Sequence, residues 1–317
     1  RKKYYWIRFS VQNNTDSAIH LFLYCGDINY LKLYLVSNSR LQQKTTGGNL
    51  QDLNKNIPEE EQTYSILRLA LAPRQAGVAY VKMIQKTEEA HFSGIDIYKK
   101  DALYNAIDSN YYQNKNDLIR SMLFQGFVIF QILYILFQWL IITRKEYLYY
   151  FFYLVTILLY FLSKQEADIG ESFLFSRHPV WSIYLNKTLQ IAPYFLYYRF
   201  IRYFLEINQN HPALNKWIIR IEYFLLGYLV FDFIFITTTF DIKLQTEIFT
   251  YTLSLVFIAT ASFIIYLLRK KQTLNYFVLS GSLAVGLGNI LGVVSSYLMF
   301  DKHVQLNIHS ALIFSEI

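Results

Sequence analysis

Few residues in this 317-residue sequence have the types and spacing that chemistry requires. The six histidines (His20, His91, His178, His211, His303, His309) are scattered, with no H-E-x-x-H pair that could hold zinc. Cys25 is the single cysteine, which excludes an intramolecular disulfide framework and a multi-cysteine metal site. Its neighbours Leu21-Phe22-Leu23-Tyr24 make it a core thiol. No nucleophile elbow and no phosphate-cradling loop with lysine is present. Gly286-Leu287-Gly288-Asn289-Ile290-Leu291-Gly292 imitates a dinucleotide fingerprint, but its third glycine comes one residue late and no strand–turn–helix unit surrounds it. Neither catalysis nor a metal or other cofactor is therefore expected.

The remaining candidates are polar or small residues inside apolar runs. Asp232 is the least favourable of them: an aspartate at the centre of a membrane helix is about 2.5–3.5 kcal/mol uphill even on a lenient scale. A water-filled pocket, protonation or a partner such as Asn289 must offset that. Asp232 is expected to be either a polar latch that sets helix packing or a neutral carboxyl near the outer rim. Gln131 and Gln138 are seven apart and share a helix face, which is expected to point into the bundle. Glu222 and Arg220 are expected to snorkel to water at a helix end. Ser280, Ala284, Gly288, Gly292 and Ser296 recur every four residues, a small-residue face that lets two helix backbones approach closely. It reads as a packing seam, static or sliding. Pro193 is expected to kink its helix.

These residues need elements to hold them. Apolar types make up 54% of the chain and aromatics 18%, while charged residues are only 17%, against roughly 25% in typical globular proteins. The deficit falls after residue 118. Segments 122–142, 148–162, 182–204, 218–237, 248–268 and 274–300 are apolar on every face, and a seventh starts near Leu306. Successive helices with no polar face have only a bilayer as a fitting solvent. Tyr147, Tyr149, Tyr150 and Tyr153, like Tyr197, Tyr198 and Tyr203, suit the head-group level. One set of loops and helix ends holds Arg144, Lys145, Arg199, Arg202, Lys216, Arg220, Arg269, Lys270 and Lys271. The opposite set holds Lys164, Arg177, Lys187, Lys243 and Lys302. Nine cations against five place the first set in the cytoplasm and the N-terminal domain outside. The net charge of +7 reflects these clusters, so nucleic acid is not an expected partner; the bilayer is.

The first third has strand chemistry. Tyr4–Val11, Ile19–Tyr24, Tyr30–Val36, Tyr64–Leu71, Gly77–Ile84 and Gly94–Tyr98 are short runs bounded by turn residues, with a polar loop from Asn38 to Glu61. The expected fold is a multidomain membrane protein: an all-β, jelly-roll-like sandwich, incomplete in its strands, and an all-α transmembrane bundle of six full helices and the start of a seventh. Expected boundaries are residues 1–105 for the extracytoplasmic β-sandwich, 106–120 for a polar linker and 121–317 for the membrane domain.

Particular stretches resemble a family, the bacterial seven-transmembrane receptors with diverse intracellular signalling modules. Tyr5-Trp6-Ile7-Arg8-Phe9 and Gly26-Asp27-Ile28-Asn29-Tyr30-Leu31-Lys32-Leu33-Tyr34 look like its second type of extracellular sensor domain. Phe124-Gln125-Gly126-Phe127 resembles the opening of its first helix, and Arg144-Lys145-Glu146-Tyr147-Leu148-Tyr149-Tyr150 that of its second. Phe204-Leu205-Glu206-Ile207 followed by His211-Pro212-Ala213-Leu214 looks like the loop after its third. The resemblance implies an outer domain that recognises carbohydrate or another small ligand. It also implies a cytoplasmic output module in the same full-length chain: a histidine kinase, a cyclic-dinucleotide enzyme or a DNA-binding module. In that family strands precede the Tyr-Trp motif and a seventh helix completes the bundle, so the sequence reads as truncated at both ends. A receptor in the bacterial cytoplasmic membrane, open to homodimerisation, is the expected function. A transporter with a substrate-capturing outer domain is the alternative, although no inverted repeat is evident.

Overall fold

The computed structural model describes residues 3–26, 28–48, 50, 66–86, 94–169, 174–175 and 178–269. Seven strands come first: β1 (Lys3–Gln12), β2 (Ile19–Tyr24), β3 (Tyr30–Ser37), β4 (Arg40–Gly47), β5 (Ile66–Leu71), β6 (Ala76–Gln85) and β7 (Asp96–Lys99). They form two antiparallel sheets, a four-stranded one in the order β1-β6-β3-β4 and a three-stranded one in the order β5-β2-β7. Side chains alternate across each strand, so every second residue meets the core. Leu31, Leu33 and Leu35 of β3, with Ala79, Val81 and Met83 of β6, come from the first sheet. Leu23 of β2 and Leu67, Leu69 and Leu71 of β5 come from the second, and all join one buried cluster.

The segment expected as a polar loop from Asn38 contains a strand, and β4 corrects that expectation. Asn38 and Ser39 both have positive φ, 51° and 61°, in a two-residue turn that joins β3 to β4. Positive φ at both central residues matches the right-handed twist of the flanking strands. β4 lacks apolar alternation because its inward residues form hydrogen bonds. Gln43 Nε2 donates to the Arg68 carbonyl (2.8 Å), and Gln43 Oε1 accepts from the Ala70 amide (2.9 Å). Thr45 Oγ1 donates to the same Arg68 carbonyl at 3.0 Å. A side-chain amide thus stands in for a neighbouring strand along β5.

Buried asparagines organise the turns. Asn13 Nδ2 donates to the carbonyls of Ser17 (2.8 Å) and Ala72 (2.9 Å), while its Oδ1 accepts from the Thr15 amide and hydroxyl. Asn29 Oδ1 accepts from the Lys86 amide at 2.7 Å, tying the start of β3 to the end of β6. Gly48, at φ +115°, passes so close that an added Cβ would stand 2.6 Å from the Asn29 carbonyl oxygen. Only glycine fits there. Cys25 is the core thiol expected, and burial pushes it up to about 12, so thiolate chemistry is closed to it near neutral pH.

Helices follow: α1 (Lys100–Ile142), α2 (Lys145–Ile169), α3 (Val180–Phe204), the single turn α4 (Ile207–Asn210), α5 (Pro212–Thr239) and α6 (Ile242–Arg269). The polar stretch expected as a linker is itself helical, being the N-terminal half of the 43-residue α1. Among the described residues, three helical stretches are long and apolar enough to cross a membrane: Leu118–Ile142, Lys145–Ser163 and Ile242–Arg269. α3 and α5 have comparable length, 25 and 28 residues, but carry charges along them, including Lys187, Arg199, Glu222 and Asp232. Pro193 lies inside α3. The sixth and seventh apolar segments of the sequence lie outside the described residues. By compactness the chain divides into a unit of Arg1–Gln125, Val155–Ala192 and Gly227–Glu247, and another of Gly126–Leu154, Pro193–Leu226 and the residues from Ile248.

Cys25 offers a reporter for the β-core. In the native chain at pH 8 a maleimide should leave it unlabelled. Asn13→Ala removes three of the bonds that close the β1–β2 turn and should cost about 1–3 kcal/mol. Labelling of Cys25 should then accelerate by roughly 5- to 100-fold if exposure follows opening of the domain.

Candidate functional site: two buried carboxylates on one helix

α5 carries two acids that are almost fully removed from water, Asp232 (2% exposed) and Glu222 (3%). A buried carboxylate is strongly disfavoured unless donors or cations meet it, so each one must organise what surrounds it.

Asp232 belongs to the first unit. Gln245, in the first turn of α6, donates its Nε2 to both carboxyl oxygens, at 3.0 and 3.1 Å. Tyr228, one turn back on α5, donates its hydroxyl to Oδ1 at 3.4 Å. Lys187 and Thr188 of α3 stand within electrostatic reach. The turn between α5 and α6 creates the pairing with Gln245. Phe240 adopts φ 52° and donates its amide to the Ile236 carbonyl, closing α5. Asp241 then caps α6, its Oδ1 accepting from the Leu244 amide at 3.1 Å. Two residues suffice to reverse the chain, so the last turns of α5 and the first of α6 are neighbours.

Around that turn the contacts are aromatic. Trp181 of α3 stacks on Phe233 with centroids 6.4 Å apart, and Tyr184 meets the edge of Phe240 at 6.0 Å. Lys86, which follows β6, places its ammonium 4.4 Å from the Phe240 ring centroid and 4.8 Å from that of Tyr30 on β3. One cation thus bridges the strand domain and a helix turn.

Glu222 belongs to the second unit and overturns its sequence expectation, since it does not snorkel. Its Oε2 lies 2.9 Å from Arg199 Nε and 3.3 Å from Arg202 Nη1, both on α3. The Arg199 contact lacks hydrogen-bond alignment, so the attraction there is chiefly that of charge. Arg199 Nη1 also reaches the Tyr149 hydroxyl of α2 at 3.4 Å, and its guanidinium lies 5.4 Å from the Phe195 centroid. Tyr149 stacks on Tyr203 at 5.2 Å, with Arg202 over the far ring at 5.2 Å. Arg220, also expected to reach water, is exposed. A helical wheel shows the signal that was available: positions 199 and 202 are three apart and share a face of α3.

Other candidates separate from these clusters. Gln131 is exposed and Gln138 half-buried, so the shared inward face expected of them is not found for Gln131. The buried glutamine of α1 is Gln125, which donates to Ser121 Oγ at 3.2 Å. Its Phe124 neighbour meets the edge of Phe161 on α2 at 4.7 Å, explaining why α1 buries its first apolar turn here. Asn289, the partner suggested for Asp232, lies outside the described residues, as do Ser280, Ala284, Gly288, Gly292 and Ser296. Among the described residues no group of His, Cys, Asp and Glu is arranged to hold a metal ion.

A β-domain leading directly into long apolar helices defines a multidomain membrane protein. Residues 118–315 match the family described as 7TM diverse intracellular signalling, and residues 1–92 match the domain described as 7TMR-DISM extracellular 2. The chain belongs to this family of seven-transmembrane receptors with diverse intracellular signalling modules, whose receptor domains are sensory. The match favours a sensor and gives no support to a transporter. No curated protein matches the chain.

Removing one member of a buried ion pair costs more than the pair itself contributes. Glu222→Gln should lower the melting temperature of the chain in nanodiscs by several degrees, because two guanidiniums lose the carboxylate they share. Arg202→Gln should cost less, since Arg199 remains, and exposed Arg220→Gln should leave the melting temperature unchanged.

Proposed function

We propose that this chain is the sensing and membrane-spanning part of a receptor in the bacterial cytoplasmic membrane. Residues 1–105 form its jelly-roll-like outer sandwich, 106–120 a helical connection and 121–317 its seven-helix domain. A small ligand outside shifts the packing of the helices, and the seventh helix passes that shift to an output module in the cytoplasm. Asp232 with Gln245 acts as a polar latch at the outer end of α5, and Glu222 with Arg199 and Arg202 as an ionic one towards the inner end.

The observation that carries this reading is the position of Lys86 between Tyr30 and Phe240. The Lys86 backbone is held by Asn29 at the head of β3, so it moves with the sheet. Phe240 is the first residue beyond α5, so it moves with the helix that bears both buried acids. Ligand-dependent movement of the sheet therefore has a short mechanical route to α5. Coupling also requires two packings of differing ligand affinity, and the two carboxylates supply contacts that can be exchanged between such packings.

Two measurements test this. In intact cells, a cysteine at Arg74 should react with an impermeant maleimide while one at Lys145 should not, Cys25 being silent in both; the reverse pattern would refute the orientation. In the full-length receptor, cysteines at Lys86 and Phe240 joined by a short bismaleimide should lock basal output at one level, whatever the medium. Output that still varies after complete cross-linking would show that this contact is not the route.

A further inference from the structure

The outward face of the four-stranded sheet is built from rings and cations. Strand register sets its rows. Trp6 of β1 lies opposite Lys82 of β6, which lies opposite Lys32 of β3. In the next row Arg8, Tyr80, Tyr34 and Lys44 stand side by side on β1, β6, β3 and β4. Tyr4 and Tyr30 flank Ile84 in the row on the other side. These residues alternate with those in the core, so they all project from the same surface.

Three properties of this face point to a ligand. The first is exposure: Tyr4 is 53% and Trp6 56% accessible, well above what such side chains usually retain. The second is charge. Arg8, Lys32, Lys44 and Lys82 share the face, and among the described residues no Asp or Glu stands on it. Lys32 and Lys82 are direct cross-strand partners, and like charges directly opposite each other destabilise a sheet. Fold stability alone gives no reason to keep that pair. The third is preorganisation. Lys82 Nζ sits 5.2 Å from the centroids of both Tyr4 and Trp6, Arg8 lies 6.0 Å from the Tyr80 ring, and Trp6 stacks on Tyr34 at 6.1 Å. Ring faces thus hold the cations upright and steady.

We propose that this face binds an acidic oligosaccharide, a chain of uronate-type sugars whose carboxylates pair with the lysine and arginine rows while their C–H faces stack on Trp6 and the tyrosines. The alternating rings and cations across four strands, about 14 Å from first to last at 4.8 Å spacing, suit a repeating ligand of sugar ring and charge. A bilayer surface fits less well. Side chains in mid-sheet stand level with their neighbours and cannot penetrate, whereas insertion needs a protruding loop. This inference rests on the outer domain being the ligand-capturing part of the receptor.

The test uses the whole chain in nanodiscs of neutral lipid, titrated with a short oligogalacturonate. Binding should occur, weaken steeply with added salt and change the fluorescence of Trp6, a change lost in Trp6→Phe. Lys82→Gln should weaken binding about tenfold or more, yet melt close to the parent, because relief of one of two opposed charges offsets the lost ring contacts; that separates a binding role from a folding one. Equal affinity for the methyl-esterified, uncharged oligomer would overturn the proposal. So would an absence of binding by folded chain, or recruitment of phosphatidylglycerol vesicles in preference to the sugar. If these titrations fail while the labelling pattern at Arg74 and Lys145 holds, the ligand class falls and the receptor reading stands.

Discussion

Burying a carboxylate is the constraint on which the helical part of this molecule depends. Water solvates an ionised acid far better than any apolar interior, so a helix that carries Asp232 and Glu222 inward must be met by donors or cations. Gln245 and Tyr228 meet the first, and Arg199 and Arg202 the second. Each arrangement specifies a neighbour. Gln245 fixes the pairing of α5 with α6, and the two arginines fix the pairing of α5 with α3. Apolar packing between helices in lipid is weakly directional, since lipid tails are as apolar as leucine. Polar contacts are what give α5 one set of partners.

The strand domain meets a different constraint, the satisfaction of backbone groups at its edges and turns. β5 borders one side of the three-stranded sheet, where an unpaired strand edge invites association with another chain. Gln43 and Thr45 cover it by presenting side-chain donors and acceptors to Arg68 and Ala70. The same economy appears at Asn13, where one amide makes three bonds within its turn and two to the end of β5, and at Asn29, which ties β3 to Lys86. These asparagines tie the turns to the ends of the strands.

How much of this was legible depended on whether a residue's role is written in local pattern. Period-two alternation located β2 and β3 to within a residue, and unbroken hydrophobicity located α2, α3, α5 and α6 but missed their polar ends, where α2 runs on to Ile169 and α5 and α6 begin at Pro212 and Ile242. β4 escaped because its inner residues bond instead of packing, which leaves a polar run identical in composition to a loop. Asp232 stood out because an acid in an apolar run is costly wherever it points. Its partner Gln245 did not, because a glutamine near a helix start is unremarkable until a two-residue turn brings it back beside Asp232. Glu222 was misjudged for a related reason. Its place near a helix end suggested an exit to water, whereas its partners Arg199 and Arg202 lie on α3, distant in sequence.

Phe240 shows how a strained residue can mark a connection. Helices commonly end with a residue in the left-handed region, and glycine is the usual occupant because a side chain there costs about 1–2 kcal/mol. Phe240 occupies it at φ 52° with a large aromatic side chain. Strain of that kind persists where surrounding contacts over-determine it. Its ring makes a T-shaped contact with Tyr184 from α3 and faces the Lys86 ammonium from the strand domain. A glycine would relax the backbone and forfeit both. The position therefore trades local ease for a link between the sheet and α5, which follows if holding the strand domain to that helix matters more to this chain than the stability of the turn itself.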